Sequence, residues 1–542
     1  MTINKKILQI NPKDNVVVAL DTLIKGSVVA FNDISIEVME DIPVKHKMAL
    51  ETITSGATIY MYGVPVGIAL IAIEKGGLLT VDNVKHSAAP YKFGGMNYSY
   101  SVDVATKWKE ATFDGYYRND GQVGTANFWI FIPLVFCQNR NLLVLKEAFE
   151  TELGYKKENH HKVKLRNLMT GKDSESYESE GELTAQRWFP NIDGIKFLTH
   201  EGGCGGTRDD AKSLVRLLAG YIKNPNVAGA TVLSLGCQHA QVSMLQEALK
   251  ELQIETVKPV YYFEQQHYES ESIMLNEVVE TTYEGLKIAN KNIRKPAPLS
   301  KLIIGLECGG SDGFSGITAN PLIGLISDRI NALGGKSILS EFPELCGVEQ
   351  DLIDRCLSKH EAERFISLME SYNKKAESVG SGFDMNPSPG NIRDGLITDA
   401  IKSAGAATKG GRSTINAVLD YGEYVNNTGL HLLCTPGNDV ESTTGLAGSG
   451  ANLILFSTGL GTPTGNPICP VLKISSNSVL PERMKDIIDF DAGKIISAGI
   501  SMDTLADQLM NLIIEVSSGR KQTKAASLGQ DDFIPWKRGV SL

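Results

Sequence analysis

The sequence predicts a multidomain α/β protein, with a small β-rich module at the N-terminus and a two-part α/β region with mainly parallel sheets after it. Three observations predict this class. Residues 1–93 contain short alternating or β-branched segments between turn residues, which is typical of strands. From residue 115 onward, apolar segments alternate with amphipathic ones, as in βαβ units. The chain has 542 residues, and single hydrophobic cores stop growing near about 250–300 residues.

The N-terminal module is predicted to consist of short strands separated by glycines and other turn residues. These strands are Asn15–Leu20, Ser27–Phe31, Ile34–Val38, Thr58–Tyr62 and Val66–Ile73. Residues 94–114 show no clear period and are predicted as a linker. The predicted domains are therefore 1–93, 115–298 and 299–542, and the second boundary lies in the polar segment Asn290–Pro298.

Strand and helix candidates alternate in both predicted α/β domains. The pairs are Phe128–Phe136 with Asn141–Leu153, Ile195–Thr199 with Asp210–Ile222, Ala230–Leu235 with Val242–Leu252, and Leu302–Glu307 with Pro321–Leu333. The last helix ends at Gly334-Gly335, a strong stop signal, and Lys336–Ser340 is the next strand. The charged insert Gly154–Glu182 is predicted as a surface excursion.

The composition of the chain argues against several classes of protein. The net charge is −10, from 53 Lys and Arg against 63 Asp and Glu, which argues against nucleic acid or an anionic membrane as a partner. The longest compact apolar stretch, Trp129–Cys137, has nine residues, whereas a membrane span needs about 20. Eight cysteines are too few for a disulfide scaffold. We therefore expect a cytoplasmic protein with reduced thiols, and a homo-oligomer is the default assembly.

The densest chemical feature is the glycine-rich stretch Leu306–Gly316, which follows a predicted strand and leads into a helix. Ligands of open α/β sheets bind beyond the carboxyl ends of the strands, so this loop is a candidate anion cradle. The alternative is a tight turn that only needs small residues. The stretch matches neither GxxxxGK[ST] nor GxGxxG, so it does not imply a nucleotide.

Cysteines follow several of the predicted strands directly. Cys137, Cys204, Cys237 and Cys308 share this placement. A buried cysteine is usually a small apolar residue, and ligation of a soft metal or an iron–sulfur cluster is the alternative. Further polar loops at Asn386–Asn391, Thr435–Gly437 and Gly459–Pro467 are predicted to converge at the same sheet edge.

Many rare segments occur together in a fixed order along the chain. They include Gly115–Asn127, Thr199-His200, Gly203–Gly205, Leu217–Tyr221, Cys308–Asp312, Ser315–Pro321, Ser340-Glu341, Pro343-Glu344, Asn386–Asn391, Thr435–Gly437 and Asp532–Trp536. Through these segments the chain resembles the altronate and galactarate dehydratase family over nearly its whole length. The resemblance implies an SAF-type β-clip domain at the N-terminus and a catalytic α/β region after it.

The resemblance also implies an activity: hydro-lyase conversion of D-altronate to 2-dehydro-3-deoxy-D-gluconate in hexuronate catabolism, with a small-molecule sugar acid as the partner. Two alternatives stay open. One is dehydration of galactarate or another aldonate or aldarate, and the other is a sugar-acid-binding protein without catalysis. The implied cofactor is divalent iron, with manganese or an iron–sulfur cluster as alternatives.

One departure from the family concerns the SAF domain, which usually carries a His-x-His-Asn stretch. Thr80, Asp82 and Asn83 stand at the corresponding positions here, and His86 lies three residues further on. Two interpretations follow. Either the metal is held differently, with Asp82 as a hard oxygen ligand, or the domain serves only as a lid.

Dehydration of an aldonate requires a base for the C2 proton, an acid for the leaving hydroxyl and electrostatic stabilisation of the ene-diolate. The candidate acid–base residues are His46, Lys47, His86 and His200, in no settled order. The candidate substrate-binding residues are Arg118, Asn127, Gly309, Gly310, Ser311, Asp312, Asn386, Ser388 and Asn391. The candidate metal ligands are Asp82, Asn83, Cys204, Cys237 and Cys308. The loops at Cys204, Cys308 and Asn386 are expected to share one cavity.

Overall fold

A computed structural model of the chain describes residues 2–3, 6–31, 34–87, 91–93, 98–100, 102–104, 106–156, 160–171, 187–253 and 258–541. The chain forms two compact units. Unit 1 comprises Met1–Ala126, Arg216–Asn226 and Arg294–Arg538, and unit 2 comprises Asn127–Val215, Val227–Ile293 and Gly539–Leu542. Among the described helices, none has the length and apolarity needed to cross a bilayer.

Unit 1 begins with short antiparallel strands, as the alternating sequence pattern predicts. The strands are β1 Thr2–Ile3, β2 Ile7–Gln9, β3 Val16–Ala19, β4 Val28–Phe31, β5 Ile34–Glu37, β6 Lys47–Ala49, β7 Thr58–Met61, β8 Val64–Ala69 and β9 Val84–Lys85. They form sheets of order β1-β2-β3-β6, β4-β5 and β7-β8-β9. Alternate residues of β4 are buried, which is typical of a strand that covers a core on one face.

The predicted linker contains regular structure. The short helix α1 covers Thr106–Lys109, and strand β10 begins at Thr112 and ends at Tyr117. Strand β10 pairs antiparallel with β11 Val123–Gly124 and with β16 Lys295–Pro298, which lies in the segment predicted as a polar boundary. The two prolines of β16 argue against a strand in the sequence. The strand forms nevertheless because β16 lies at the edge of its sheet, where proline is tolerated.

Unit 2 contains a parallel sheet of order β13-β12-β14-β15. Its strands are β12 Phe128–Pro133, β13 Gly194–Phe197, β14 Val227–Ser234 and β15 Val260–Glu264. The helices of this region are α2 Asn139–Glu152, α3 His160–Met169, α4 Arg208–Lys223, α5 Val242–Glu251 and α6 Glu271–Ala289, and residues 216–223 of α4 belong to unit 1. Helix α3 lies in the predicted charged insert; residues 172–182 of that insert lie outside the described residues.

The main sheet of unit 1 has seven parallel strands in the order β19-β20-β18-β17-β21-β22-β23. The strands are β17 Ile303–Cys308, β18 Lys336–Leu339, β19 Ile415–Leu419, β20 Gly429–Leu433, β21 Leu453–Thr458, β22 Val471–Ser475 and β23 Phe490–Asp491. The accompanying helices are α7 Ala319–Ala332, α8 Glu349–Arg355, α9 Lys359–Glu377, α10 Pro389–Arg393, α11 Asp399–Ala407, α12 Asp439–Gly448, α13 Val479–Arg483, α14 Lys494–Ser497, α15 Met502–Ser517 and α16 Lys524–Leu528.

The order of the main sheet places a switch point between β17 and β21. The chain runs from β17 to β18 on one side and from β21 to β22 on the other. In open α/β sheets the loops diverge at such a point, and the crevice at the carboxyl ends of the two strands receives the ligand. Both strands are buried along their whole length, which explains why their sequences are apolar except near the carboxyl ends.

Candidate active site

Charged side chains gather at the carboxyl ends of the strands beside this switch point. Glu307 and Cys308 are the last two residues of β17, and Glu341 follows β18. We call the set of residues around them the lysine–carboxylate cluster. Its members are Glu307, Cys308, Glu341, Glu344, Lys402, Lys409, Asp439 and Lys473, all in unit 1.

Lys409 is the centre of the cluster. Its Nζ donates to Cys308 Sγ at 2.7 Å and to Glu341 Oε2 at 2.8 Å, and it lies 3.8 Å from Glu344 Oε2. Lys402 Nζ forms the second ion pair, at 2.8 Å from Glu344 Oε1. All five side chains are buried, so these charges are compensated inside the protein rather than by water.

Glu341 is held in an unusual backbone conformation. Its φ is 67°, in the left-handed region that residues other than glycine rarely adopt. Its amide donates to Thr435 Oγ1 at 2.8 Å, and its Oε2 accepts the Cys308 amide at 3.1 Å. Strain of this kind costs about 1–3 kcal/mol and is concentrated at functional sites.

Burial and mutual repulsion shift the ionisation of the cluster. Burial, together with the charge of Glu341, raises the pKa of Glu307 well above its usual value. Burial raises the pKa of Asp439 to about 7 and lowers the pKa of Lys473 to about 7. Burial alone would lower the pKa of Lys409, but Cys308 and the carboxylates around it raise that pKa well above its usual value. Shifts of this kind are typical of catalytic sites.

Three buried atoms of the cluster have no hydrogen-bond partner among the described residues. They are Glu307 Oε1, Glu341 Oε1 and Lys473 Nζ, the last of which lies 3.2 Å from the centre of the Phe456 ring. Donor oxygens of Glu307, Glu341 and Asp439 lie within 4.8 Å of one another. Carboxylate oxygens in such a group are the ligands of hard or borderline divalent cations.

The charge balance of the cluster agrees with a cation there. With Lys473 and the Cys308 thiol neutral, four ionised carboxylates would exceed the ammonium groups of Lys402 and Lys409 by two negative charges. The raised pKa values of Glu307 and Asp439 show that burial disfavours these charges as long as no cation is bound. A divalent cation would cancel them. The Glu307–Glu341–Asp439 group therefore fits such an ion, whereas in the neighbouring Cys308–Glu341–Glu344 group Lys409 already occupies the space between the donors.

The glycines of the predicted anion cradle are explained by close contacts. A Cβ atom on Gly309 would lie 2.0 Å from Asp439 Oδ2, and one on Gly316 would lie 2.3 Å from the Tyr62 hydroxyl. Gly310 has a φ of 61°. The Gly309 amide donates to Ser457 O at 3.0 Å, so it is bound within the sheet and does not face an anion.

Asp312 and Asn391 organise this loop. The two oxygens of Asp312 accept hydrogen bonds from Phe314, Ser315, Ser476 and Asn477, and its carboxylate lies 2.9 Å from Lys45 Nζ. Asn391 donates to Ser311 O at 2.8 Å and forms a capping box with Ser388. These predicted binding residues are therefore anchors of the loop.

Asn386 is different, because it contacts the cluster. Its Oδ1 accepts a hydrogen bond from Lys402 Nζ at 3.1 Å. Its Nδ2 is buried without a hydrogen-bond partner among the described residues. A buried amide donor of this kind is available to a substrate oxygen.

The candidate site residues in the N-terminal module differ in their burial and in their contacts. Lys47 is fully buried, donates to Gly395 O and to Lys45 O, and burial lowers its pKa to about 7. His46 Nδ1 lies 3.2 Å from Val44 O, and burial lowers the pKa of His46. Asn83 stabilises the turn in which it lies, because its Oδ1 accepts a hydrogen bond from the Thr80 amide. Asp82 is exposed in the same turn. His86 Nδ1 accepts the Ala400 amide at 3.3 Å.

Arg118 and the candidates in unit 2 have structural contacts. Arg118 donates to Pro225 O at 2.7 Å and to Ala126 O at 3.2 Å. Asn127 donates to Asn191 O and Ala289 O. His200 Nε2 lies 2.7 Å from Pro133 O, its Nδ1 accepts the Gly202 amide, and burial lowers its pKa to about 4. Cys204 and Cys237 are exposed, and no group of three ligand side chains among the described residues contains either cysteine.

Sequence reasoning missed most of the lysine–carboxylate cluster. Two signals were present. Glu307 and Lys473 are charged residues inside otherwise apolar strands, Ile303–Cys308 and Val471–Ser475, and such residues are almost never buried unless paired or functional. Lys402, Lys409 and Asp439 lie near helix ends, where a charged residue carries no comparable signal.

The fold and the cluster define an enzyme-like α/β protein with buried acid–base groups at a sheet switch point. Three family models match in chain order: the altronate/galactarate dehydratase SAF domain over 5–87, the D-galactarate dehydratase/altronate hydrolase second domain over 115–290, and the D-galactarate/altronate dehydratase C-terminal domain over 299–541. The match at 5–87 and the parallel sheets after it confirm the predicted fold class.

The similarity to curated relatives extends over almost the whole chain. It is 32% identical over 538 residues to altronate dehydratase of Escherichia coli K12, covering 99% of both chains. It is 32% identical to altronate dehydratase of Bacillus subtilis 168, covering 95% of this chain and 96% of the relative. It is 29% identical to galactarate dehydratase (L-threo-forming) of Escherichia coli K12, covering 95% and 93%. The chain belongs to the D-galactarate/altronate dehydratase family.

Proposed function

We propose that the protein is a hydro-lyase that converts D-altronate to 2-dehydro-3-deoxy-D-gluconate in hexuronate catabolism. The observation that carries this proposal is 32% identity over 99% of both chains to a curated altronate dehydratase. The similarity to galactarate dehydratase makes galactarate the second candidate substrate. The proposal includes a cytoplasmic location, in keeping with the sparse cysteines of the sequence.

The cofactor in this proposal is divalent iron, with manganese as the alternative. Glu307, Glu341 and Asp439 would hold it, because their donor oxygens lie within 4.8 Å of one another. Glu307 Oε1 and Glu341 Oε1 also have no hydrogen-bond partner in the described part of the chain. A cation bound there would supply positive charge to the carboxylate of the sugar acid as the ene-diolate develops.

The other members of the cluster supply proton transfer in the proposed reaction. Lys402 is the acid for the departing C3 hydroxyl, because it has a raised pKa and lies at the rim of the cluster beside Asn386. Lys473 is the base for the C2 proton, because its Nζ has no hydrogen-bond partner among the described residues and its pKa of about 7 leaves much of it neutral. Asn386 Nδ2 donates to a substrate oxygen.

The proposal is tested by formation of 2-keto acid under anaerobic conditions, with D-altronate, galactarate and other sugar acids as substrates and with metal analysis of the active preparation. We expect turnover of D-altronate, and Asn386→Ala should raise KM more than it lowers kcat. Asn427→Ala, at an exposed position, is the control and should leave both unchanged. Binding of sugar acids by the metal-loaded protein without any keto-acid product would instead support a non-catalytic sensor.

A further inference from the structure

A second group of potential ligands lies outside the lysine–carboxylate cluster. A ring nitrogen of His86, Sγ of Cys346 and a carboxylate oxygen of Asp399 lie within 4.8 Å of one another. Three separate parts of unit 1 supply them. His86 follows β9, Cys346 follows the 3₁₀ turn Phe342–Leu345, and Asp399 is the first residue of α11.

Asp399 is the member that most needs a partner. Its side chain is 1% exposed, and neither carboxylate oxygen has a nitrogen or oxygen donor among the described residues, which leaves the Cys346 thiol as its hydrogen-bond partner. A buried carboxylate in this condition is costly unless it is protonated or bound to a cation. Burial raises the pKa of Asp399 to about 8, although the Cys346 thiol and the charge of Lys402, which is paired with Glu344 at 2.8 Å, favour the ionised carboxylate.

The other two side chains are held close to it. His86 Nδ1 accepts the amide of Ala400, the residue that follows Asp399, at 3.3 Å. Cys346 is half-buried and lines a cavity of about 390 Å³ with Glu349, Phe383 and Met385. The cavity gives a metal ion a route to the thiol, which a site for an exchangeable metal requires.

We propose that His86, Cys346 and Asp399 bind one divalent transition-metal ion of the zinc, cobalt or iron(II) type. One imidazole, one thiolate and one carboxylate form a borderline donor set that disfavours magnesium and calcium. Three protein ligands leave a fourth position for water or an added ligand. The site is separate from the carboxylate group assigned to the catalytic cation and does not depend on the proposed function. The ion would tie the end of the N-terminal module to α11.

The test uses the full chain, stripped of metal by a chelator under reducing conditions and titrated with Co²⁺. A thiolate ligand gives Co²⁺ a near-ultraviolet charge-transfer band, which requires neither substrate nor turnover. We expect a band that saturates at one Co²⁺ per chain and disappears in Cys346→Ser. Asp399→Asn should weaken Co²⁺ binding by more than about tenfold. Cys356→Ser, at another buried cysteine, is the matched control and should keep the band.

Two results of the Co²⁺ titration would overturn the proposal. One is a folded wild-type protein that shows no thiolate band with excess Co²⁺. The other is a band that survives in Cys346→Ser and is lost in Cys308→Ser, which would place the thiolate in the lysine–carboxylate cluster. Thermal unfolding gives a second readout: Co²⁺ should raise Tm of the wild type more than that of Asp399→Asn, which among the described residues keeps only the carboxylate group of the lysine–carboxylate cluster as a cation site. Equal shifts in both proteins would also contradict the site.

Discussion

Replacement of Lys409 by methionine tests whether the buried charges of the cluster compensate one another. Methionine fills most of the same volume but removes the ammonium that lies 2.8 Å from Glu341 Oε2 and 2.7 Å from Cys308 Sγ. Removing one partner of a buried ion pair leaves the other uncompensated and typically costs about 3–5 kcal/mol. We expect a loss of that size, because Lys409 is 1% exposed and Glu341 is fully buried.

The loss can be measured by urea unfolding. With an m-value of about 3 kcal/mol per M, 4 kcal/mol lowers the midpoint by roughly 1.3 M. Glu341→Gln in the Lys409→Met background should recover part of the loss, because the uncompensated charge is then gone, and a coupling of about 0.5–3 kcal/mol is expected. A midpoint within about 0.3 M of the wild type, or a double variant no more stable than Lys409→Met, would refute the reasoning.

Three further predictions concern other buried groups. Lys473→Met should keep or raise the unfolding midpoint, because it replaces a buried amine that has no hydrogen-bond partner among the described residues. Keto-acid formation and exchange of the C2 proton with solvent should be lost, and exchange at the wild-type rate would exclude Lys473 as the base. Gly203→Ala should destabilise unit 2 by more than about 1 kcal/mol, since the glycine has a φ of 96° and a Cβ there would lie 2.0 Å from Leu134 O. Amide hydrogen exchange in β12 and β13 measures this loss of stability, and unchanged protection would contradict the contact. His200 has a folded pKa of about 4 against an ordinary 6.5, so the unfolded state binds the proton first and stability falls as the pH drops from about 6.5 to 4, by up to about 3 kcal/mol. His200→Gln should remove that part of the pH dependence of the urea midpoint, and an unchanged pH profile would show that His200 does not cause it.

The sequence predicted the main elements of the α/β region because their patterns are strong. The helix predicted at Pro321–Leu333 is observed at Ala319–Ala332, and the strand predicted at Leu302–Glu307 is observed at Ile303–Cys308. Strand β16 was missed, since its prolines argue against a strand and only its edge position permits them.

The candidate site was predicted less well than the fold. The loops at Cys308 and Asn386 do lie together in unit 1, linked through Lys402 and Asn391. The glycine-rich sequence predicts an anion site, and the structure gives a packing reason for one of its glycines, because Gly316 allows a tyrosine of the N-terminal module to approach. Contacts over such sequence distances leave no local pattern, so spacing alone could not distinguish a ligand from a packing partner. The shared cavity with Cys204 and the domain boundaries stay predictions.

The ion pair between Lys45 and Asp312 has a consequence for how the protein can be divided. Lys45 belongs to the N-terminal module, and Asp312 lies in the glycine-rich loop beside the lysine–carboxylate cluster. A chain shortened to begin after the module would leave this fully buried carboxylate without the ammonium of Lys45. It would also open to water the contacts that the glycines of the loop make with the module. The N-terminal module is thus part of the scaffold of the glycine-rich loop, and the α/β region on its own is expected to lose the order of that loop before it loses its sheet.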